Sequence, residues 1–65
     1  MPNRVKYYRE LMGLTQKEVA EIIGISRQYL SEIENFKRNV GGRIIQALAK
    51  LLGVTTEELF FDHYS

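Results

Sequence analysis

The sequence predicts an all-α fold, a compact bundle of five short helices. Three observations carry that prediction. Apolar residues recur at three- and four-residue spacing between turn signals, and no stretch alternates as a strand would. Helix-opening signals stand at Thr15 with Glu18, at Ser26, and at Thr55 with Glu58, while Gly13, Gly24 and Gly53 close segments. The single proline, Pro2, precedes all of them.

The first helix is expected from Arg4 to Met12, capped by Asn3 and ended by Gly13, with Val5, Tyr8 and Met12 facing inward. Thr15 and Glu18 form a capping box that opens the second helix, whose buried stripe is Val19, Ala20 and Ile23. The small Ala20 lets a neighbouring helix cross closely, and Gly24 gives the chain a left-handed exit. Ser26 caps a third helix that runs to about Asn35. On a 100° wheel Leu30 and Ile33 point inward, whereas Gln28, Ser31, Glu32 and Asn35 share the opposite side, with Arg27 and Tyr29 on its flanks. Residues 36–42, FKRNVGG, form a basic loop. A fourth helix from about Arg43 to Leu52 carries Ile44, Ile45, Leu48 and Leu52 inward. A short fifth helix brings Leu59 and Phe60 to the core. Two short amphipathic helices joined at Gly24, over about residues 16–35, have the layout of a helix-turn-helix.

Composition narrows the functional classes. Sixty-five residues, 1–65, are expected to form one small domain. Such a chain hides only about 60% of the surface its unfolded form exposes, so the core and any partner copy must stabilise it. There is no cysteine, hence no disulfide and no cysteine-based zinc site, and the lone His63 reads as a solvated tail residue. No metal and no cofactor are expected. No apolar run approaches the ~18 residues of a membrane helix. The opening MPNRVKYYRE is charged throughout and unlike a secretion signal, so a cytoplasmic location is expected. An enzyme is disfavoured, because a cysteine nucleophile, a phosphate-binding glycine loop and a carboxylate–histidine cluster are all missing. The net charge is only +1, but it is polarised: residues 1–50 carry +4 and residues 51–65 carry −3. One end suits phosphate better than the other.

Read in order, the residues spell R-V-K-x-x-R-x-x-x-G-L-T-Q-x-E-x-A-x-x-x-G-I-S-R-x-x-L-S-x-I-E-N, followed later by A-L-A-K-L-L-G-V-T-x-E-E-L-F. This pattern resembles the phage-repressor and Cro-like helix-turn-helix family, also called the XRE family, over about residues 3 to 60. The resemblance implies a lambda-repressor-like fold and a transcriptional regulator that binds DNA. It further implies roles for particular residues. Gln16 falls where relatives hold a phosphate at the start of the second helix. Arg27, Gln28 and Glu32 fall where relatives touch base edges, with Ser26 and Ser31 nearby. Lys37 and Arg38 fall in the loop that follows the sugar-phosphate backbone. Arg9 and Glu34 match a pair that ties the first helix to the third. Three departures lie in one loop: Phe36 stands where glycine is usual, Val40 where proline is common, and Gly42 where an apolar residue is common. Phe36 is awkward in a left-handed turn. Gly41 and Gly42 allow a late helix start or a close backbone approach.

The chemistry of these side chains agrees with that assignment. The flat Gln28 amide offers a donor and an acceptor suited to adenine N6 and N7. Arg27 suits guanine O6 and N7, or equally a phosphate. Glu32 suits cytosine N4, or holds Arg27 through water, or rejects wrong sequences by repelling phosphate. Ser31 lies among the base-contacting candidates. Tyr29 packs on a sugar or thymine methyl, or shelters the core edge. Gln16, Ser26, Asn35, Lys37, Arg38 and Arg43 are candidates for the DNA backbone, where contacts position a protein without reading sequence. Arg9 and Glu34 both angle towards the core and should pair, since either alone is costly to bury.

The expected partner is a double-stranded DNA operator with palindromic half-sites about 34 Å apart, bound by a homodimer. Leu51 lies off the inward stripe of the fourth helix, and Phe61 and Tyr64 follow a core already complete at Phe60, so these three are the candidate dimer interface and 61–65 a candidate dimer-forming tail. The function expected is a sequence-specific, dimeric repressor that reads the major groove with the helix 26–35, without a small-molecule effector. An antitoxin or a restriction–modification controller protein of the same fold is the alternative. An antitoxin is disfavoured because only about five residues follow Phe60.

Overall fold

The computed structural model describes residues 1–61 and orders them as five helices: α1 Val5–Leu11, α2 Gln16–Ile23, α3 Arg27–Glu34, α4 Gly42–Leu52 and α5 Thr56–Leu59. Among the described residues there is no strand. Local chemistry sets most boundaries. In both capping boxes the threonine hydroxyl accepts from the N3 amide while the N3 glutamate accepts from the threonine amide, Thr15 with Glu18 and Thr55 with Glu58. Ser26 Oγ accepts from Tyr29 N at 3.0 Å and opens α3. Each such cap satisfies backbone donors that a helix start leaves orphaned.

Gly24, at φ +84°, turns the chain from α2 into α3. The amides of Gly24 and Ile25 both donate to Ala20 O, at 2.8 and 3.0 Å. Ala20 itself is buried, and its lack of a larger side chain permits the close crossing of α2 and α3. The core takes Val5 from α1, Val19 and Ala20 from α2, Leu30 and Ile33 from α3, Ile45, Leu48, Ala49 and Leu52 from α4, and Leu59 with Phe60 at the end. Arg4 N donates to Leu59 O at 2.9 Å, joining the start of the bundle to its end.

Several expectations need correction. Met12 faces solvent at 50% exposure. α1 stops at Leu11, so Met12 lies past its end as the C-cap, and the last inward residue of the helix is Arg9, which is buried as expected. Asn3 caps α1 from just before the N-cap position, which is Arg4: its Oδ1 accepts from Val5 N at 3.0 Å, and its Nδ2 donates to Ile33 O at 2.9 Å. α3 ends at Glu34, with Asn35 as its C-cap. α4 starts one residue earlier than expected, at Gly42. No heavy atom lies within 4 Å of where a Cβ would stand on Gly41 or Gly42, so neither marks a close backbone approach. Val40, placed by sequence in the basic loop 36–42, is buried.

The loop after α3 adopts the left-handed turn in spite of its phenylalanine. Phe36 has φ +64°, Phe36 N donates to Ile33 O at 3.1 Å, and Lys37 N donates to Glu32 O at 2.9 Å. That pair of bonds is a Schellman motif with Phe36 in the place glycine usually fills. After this turn Arg38 returns to Glu32 of α3, and Val40 is buried in the core. Tyr64, and the lone His63, lie outside the described residues.

Candidate nucleic-acid interface

α3 is held from behind by a buried polar network. Arg9 Nε donates to Glu34 Oε2 at 2.7 Å and Arg9 Nη2 to Glu34 Oε1 at 3.1 Å. Arg9 Nη1 donates to Leu14 O at 2.8 Å, and Gln16 Nε2 donates to Glu34 Oε1 at 3.0 Å. The hydrogen bonds from Arg9 to Glu34 raise the arginine pKa further above its ordinary value. One carboxylate thus joins α1, the start of α2 and the end of α3. Gln16, expected at a phosphate, spends one amide proton inside the protein on Glu34.

With its inner side so fixed, α3 turns its polar edge outward. Arg27, Gln28 and Asn35 are exposed, while Tyr29, Ser31 and Glu32 are half-buried. Gln28 makes no hydrogen bond among the described residues. Asn35 Nδ2 turns back to Ser31 O at 2.8 Å. Glu32 pairs with Arg38, whose Nε donates to its Oε1 at 3.1 Å and whose Nη2 lies 3.0 Å from that oxygen. The sequence alone does not pair Glu32 with Arg38. Arg38 also lies over the Tyr29 ring, 5.7 Å from its centroid. Lys37 and Arg43 are exposed on the adjoining loop and the start of α4.

Beside Arg27 opens a cleft of about 550 Å³, lined by Leu14, Gln16, Lys17 and Arg27 together with Arg9 and the turn before α2. The first intrahelical bond of α2 runs from Val19 N to Thr15 O, so the amides of Gln16 and Lys17, two residues that line this cleft, precede the ladder. Positive helix-end charge and two exposed cations converge there, an arrangement suited to an anion. Lys17 was not singled out from the sequence. Its signal is available only in retrospect, as a basic residue at the second position of a capped helix. The Thr15 and Ser26 hydroxyls are both committed to capping. At the far end of the molecule Leu51 is half-buried, and Phe61 is 39% exposed with the Arg4 guanidinium 4.4 Å from its ring centroid.

The family model described as helix-turn-helix matches residues 5–59. The chain belongs to the helix-turn-helix family. Within it, the chain is of the XRE type, a group of DNA-binding transcription regulators. It is 40% identical over 60 residues to an uncharacterised helix-turn-helix-type transcriptional regulator of Methanocaldococcus jannaschii, covering 92% of this chain and 91% of the relative. Among solved structures, the restriction-modification controller protein C.AhdI from Aeromonas hydrophila superposes with TM-score 0.78 at 33% identity, over 85% of this chain and 83% of that one. SinR, the master regulator for biofilm formation, known from Bacillus subtilis, superposes in its complex with DNA with TM-score 0.75 at 33% identity, over 83% and 87%. In this helix-turn-helix protein α2 and α3 are the two named helices. No helix among the described residues is long and apolar enough to cross a membrane.

Proposed function

We propose that this chain is a sequence-specific transcription regulator that binds double-stranded DNA as a homodimer and acts as a repressor by occluding a promoter. The observation that carries the reading is the outward polar edge of α3, whose Gln28 amide makes no hydrogen bond among the described residues. α3 enters the major groove, where each base pair presents a distinct donor and acceptor pattern. Gln28 reads a base edge, with Ser31 and Glu32 beside it. Arg27 borders the cleft at the start of α2, which favours a phosphate role for it over a base contact. The α2 amides, Lys17 and Arg27 hold one phosphate there, and Lys37 and Arg43 hold others along the loop side, with Asn35 near them. Gln16 acts at this cleft mainly by holding Glu34.

Selection of bound duplexes from a random pool, followed by titration in increasing salt, tests the reading. Gln28→Ala should cost about 1–3 kcal/mol and relax preference at one position, whereas Lys17→Ala should weaken all duplexes alike and lower the salt slope by about one. Equal losses on selected and random DNA for Gln28→Ala would remove it as a base reader. For the dimer, Leu51 and the exposed Phe61 support a surface at the α4–α5 end; Tyr64, the third candidate, lies outside the described residues. Sedimentation of Phe61→Ser should show a lower mass than the unmodified chain at equal concentration; an unchanged mass excludes that surface. The likeness to C.AhdI favours, as a second reading, a controller protein of a restriction–modification system. Selected operators lying upstream of a methyltransferase and endonuclease pair would support it.

A further inference from the structure

Glu32 is a carboxylate on the helix edge that faces DNA in the reading above, and its partner is a cation of the loop that faces phosphate. Arg38 Nε donates to Glu32 Oε1 at 3.1 Å, and Arg38 Nη2 lies 3.0 Å from the same oxygen as an ion pair. The pair is only partly shielded, with the side chains of Arg38 and Glu32 54% and 29% exposed. Arg38 reaches Glu32 because the Schellman turn at Phe36 bends the chain back, fixed by the Lys37 N to Glu32 O bond of 2.9 Å. The Tyr29 ring, with its centroid 5.7 Å from Arg38 Cζ, forms the other wall. Glu34, the other carboxylate of α3, is buried on Arg9, so Glu32 is the one acid this helix shows to a groove.

Resting on the DNA-binding reading, we infer that the Glu32–Arg38 pair is a specificity device that withholds a phosphate-binding cation from random duplex. While paired, Arg38 and Glu32 are neutral together, and Arg38 releases no counterion on encounter. Moving Arg38 to a phosphate strips Glu32 and leaves a bare carboxylate in a groove flanked by negative charge. That penalty is removed only where a base presents an amino donor, cytosine N4 in the major groove, which Glu32 can accept in place of Arg38. Cognate DNA therefore exchanges both partners, and random DNA exchanges neither. Specificity here comes from raising the cost of wrong sites as much as from lowering that of the right one.

The test compares the unmodified chain, Glu32→Gln, Arg38→Ala and the double variant on a random duplex and on the selected duplex across a salt series. Glu32→Gln should bind random duplex about two- to fivefold more tightly, the range of an exposed ion pair. Its log–log salt slope on random duplex should steepen by about 0.9, one additional phosphate contact. The ratio of selected to random affinity should fall. In the Arg38→Ala background the same glutamate change should leave the slope unaltered. A slope that steepens equally without Arg38 would mean that Glu32 acts by bulk repulsion alone, and would overturn the inference. So would a Glu32→Gln variant with unmodified slope and ratio. An unmodified chain that ignores every duplex at low ionic strength would overturn the DNA-binding reading itself. Thermal melts within a few degrees of one another will show that the variants share the fold, as an exposed pair predicts.

Discussion

Replacing Glu34 with alanine is the most severe single change the network behind α3 admits. The carboxylate is 2% exposed and accepts from Arg9 Nε, Arg9 Nη2 and Gln16 Nε2. Its removal leaves the Arg9 side chain, itself 9% exposed, with Leu14 O as its remaining protein acceptor. Breaking a buried pair by deleting one partner costs about 3–5 kcal/mol, because the surviving charge is uncompensated. Arg9 lines the open cleft at the start of α2 and can recover some water there, which favours the lower end of the range. Total stability for a chain of this size is about 3–10 kcal/mol, so the loss is a large share of it. At about 4–8 °C per kcal/mol, a cost near 3 kcal/mol lowers Tm by roughly 20 °C. Circular dichroism melts of the unmodified chain, Glu34→Ala, Arg9→Met and the double variant Arg9→Met/Glu34→Leu measure this directly. The double variant should be more stable than Glu34→Ala, since it leaves no unpaired charge, though it forfeits the bonds to Leu14 and Gln16. A Glu34→Ala chain melting within about 5 °C of the unmodified one would refute the network as a structural tie.

Two further expectations concern local structure. Phe36→Gly and Phe36→Ala both remove the ring, but only alanine must still hold φ near +64°; the glycine variant should be more stable by about 1 kcal/mol in urea titration, and equal stabilities would contradict the strain argument. Hydrogen bonds from the Thr15 and Thr55 amides hold the Glu18 and Glu58 carboxyls below their ordinary 4.5. A depressed folded pKa gives stability that is present above pH 4.5 and lost as pH falls through the lowered value. Glu18→Gln/Glu58→Gln keeps a neutral cap acceptor, so its Tm should fall less steeply than that of the unmodified chain as pH drops below 4.5. Parallel Tm–pH curves would rule out these two carboxylates as the source.

How much of this was legible in the sequence follows from the range of each interaction. The capping boxes at Thr15–Glu18 and Thr55–Glu58, the Ser26 cap and the Gly24 turn involve residues within about one helical turn of each other, so spacing alone specifies them. The stripes Val19–Ala20 and Leu30–Ile33 were equally readable, because helical period marks which side meets the core. The outward edge at Gln28 and Asn35 is the complement of those stripes and came with them. Periodicity marks a face but not where the helix stops, which is why Met12, past the end of α1, is exposed. Asn3 bonding the end of α3, Gln16 bonding Glu34, Arg38 folding onto Glu32 and Val40 entering the core all join segments distant along the chain. Their partners are brought together only once the helices pack, so no local pattern announces them. The cleft that makes Lys17 a candidate is likewise built from the turn before α2 and the start of α3, a concavity that exists only in three dimensions. Short-range chemistry thus determined the elements and their faces, and packing decided which polar groups meet and which remain open to a partner.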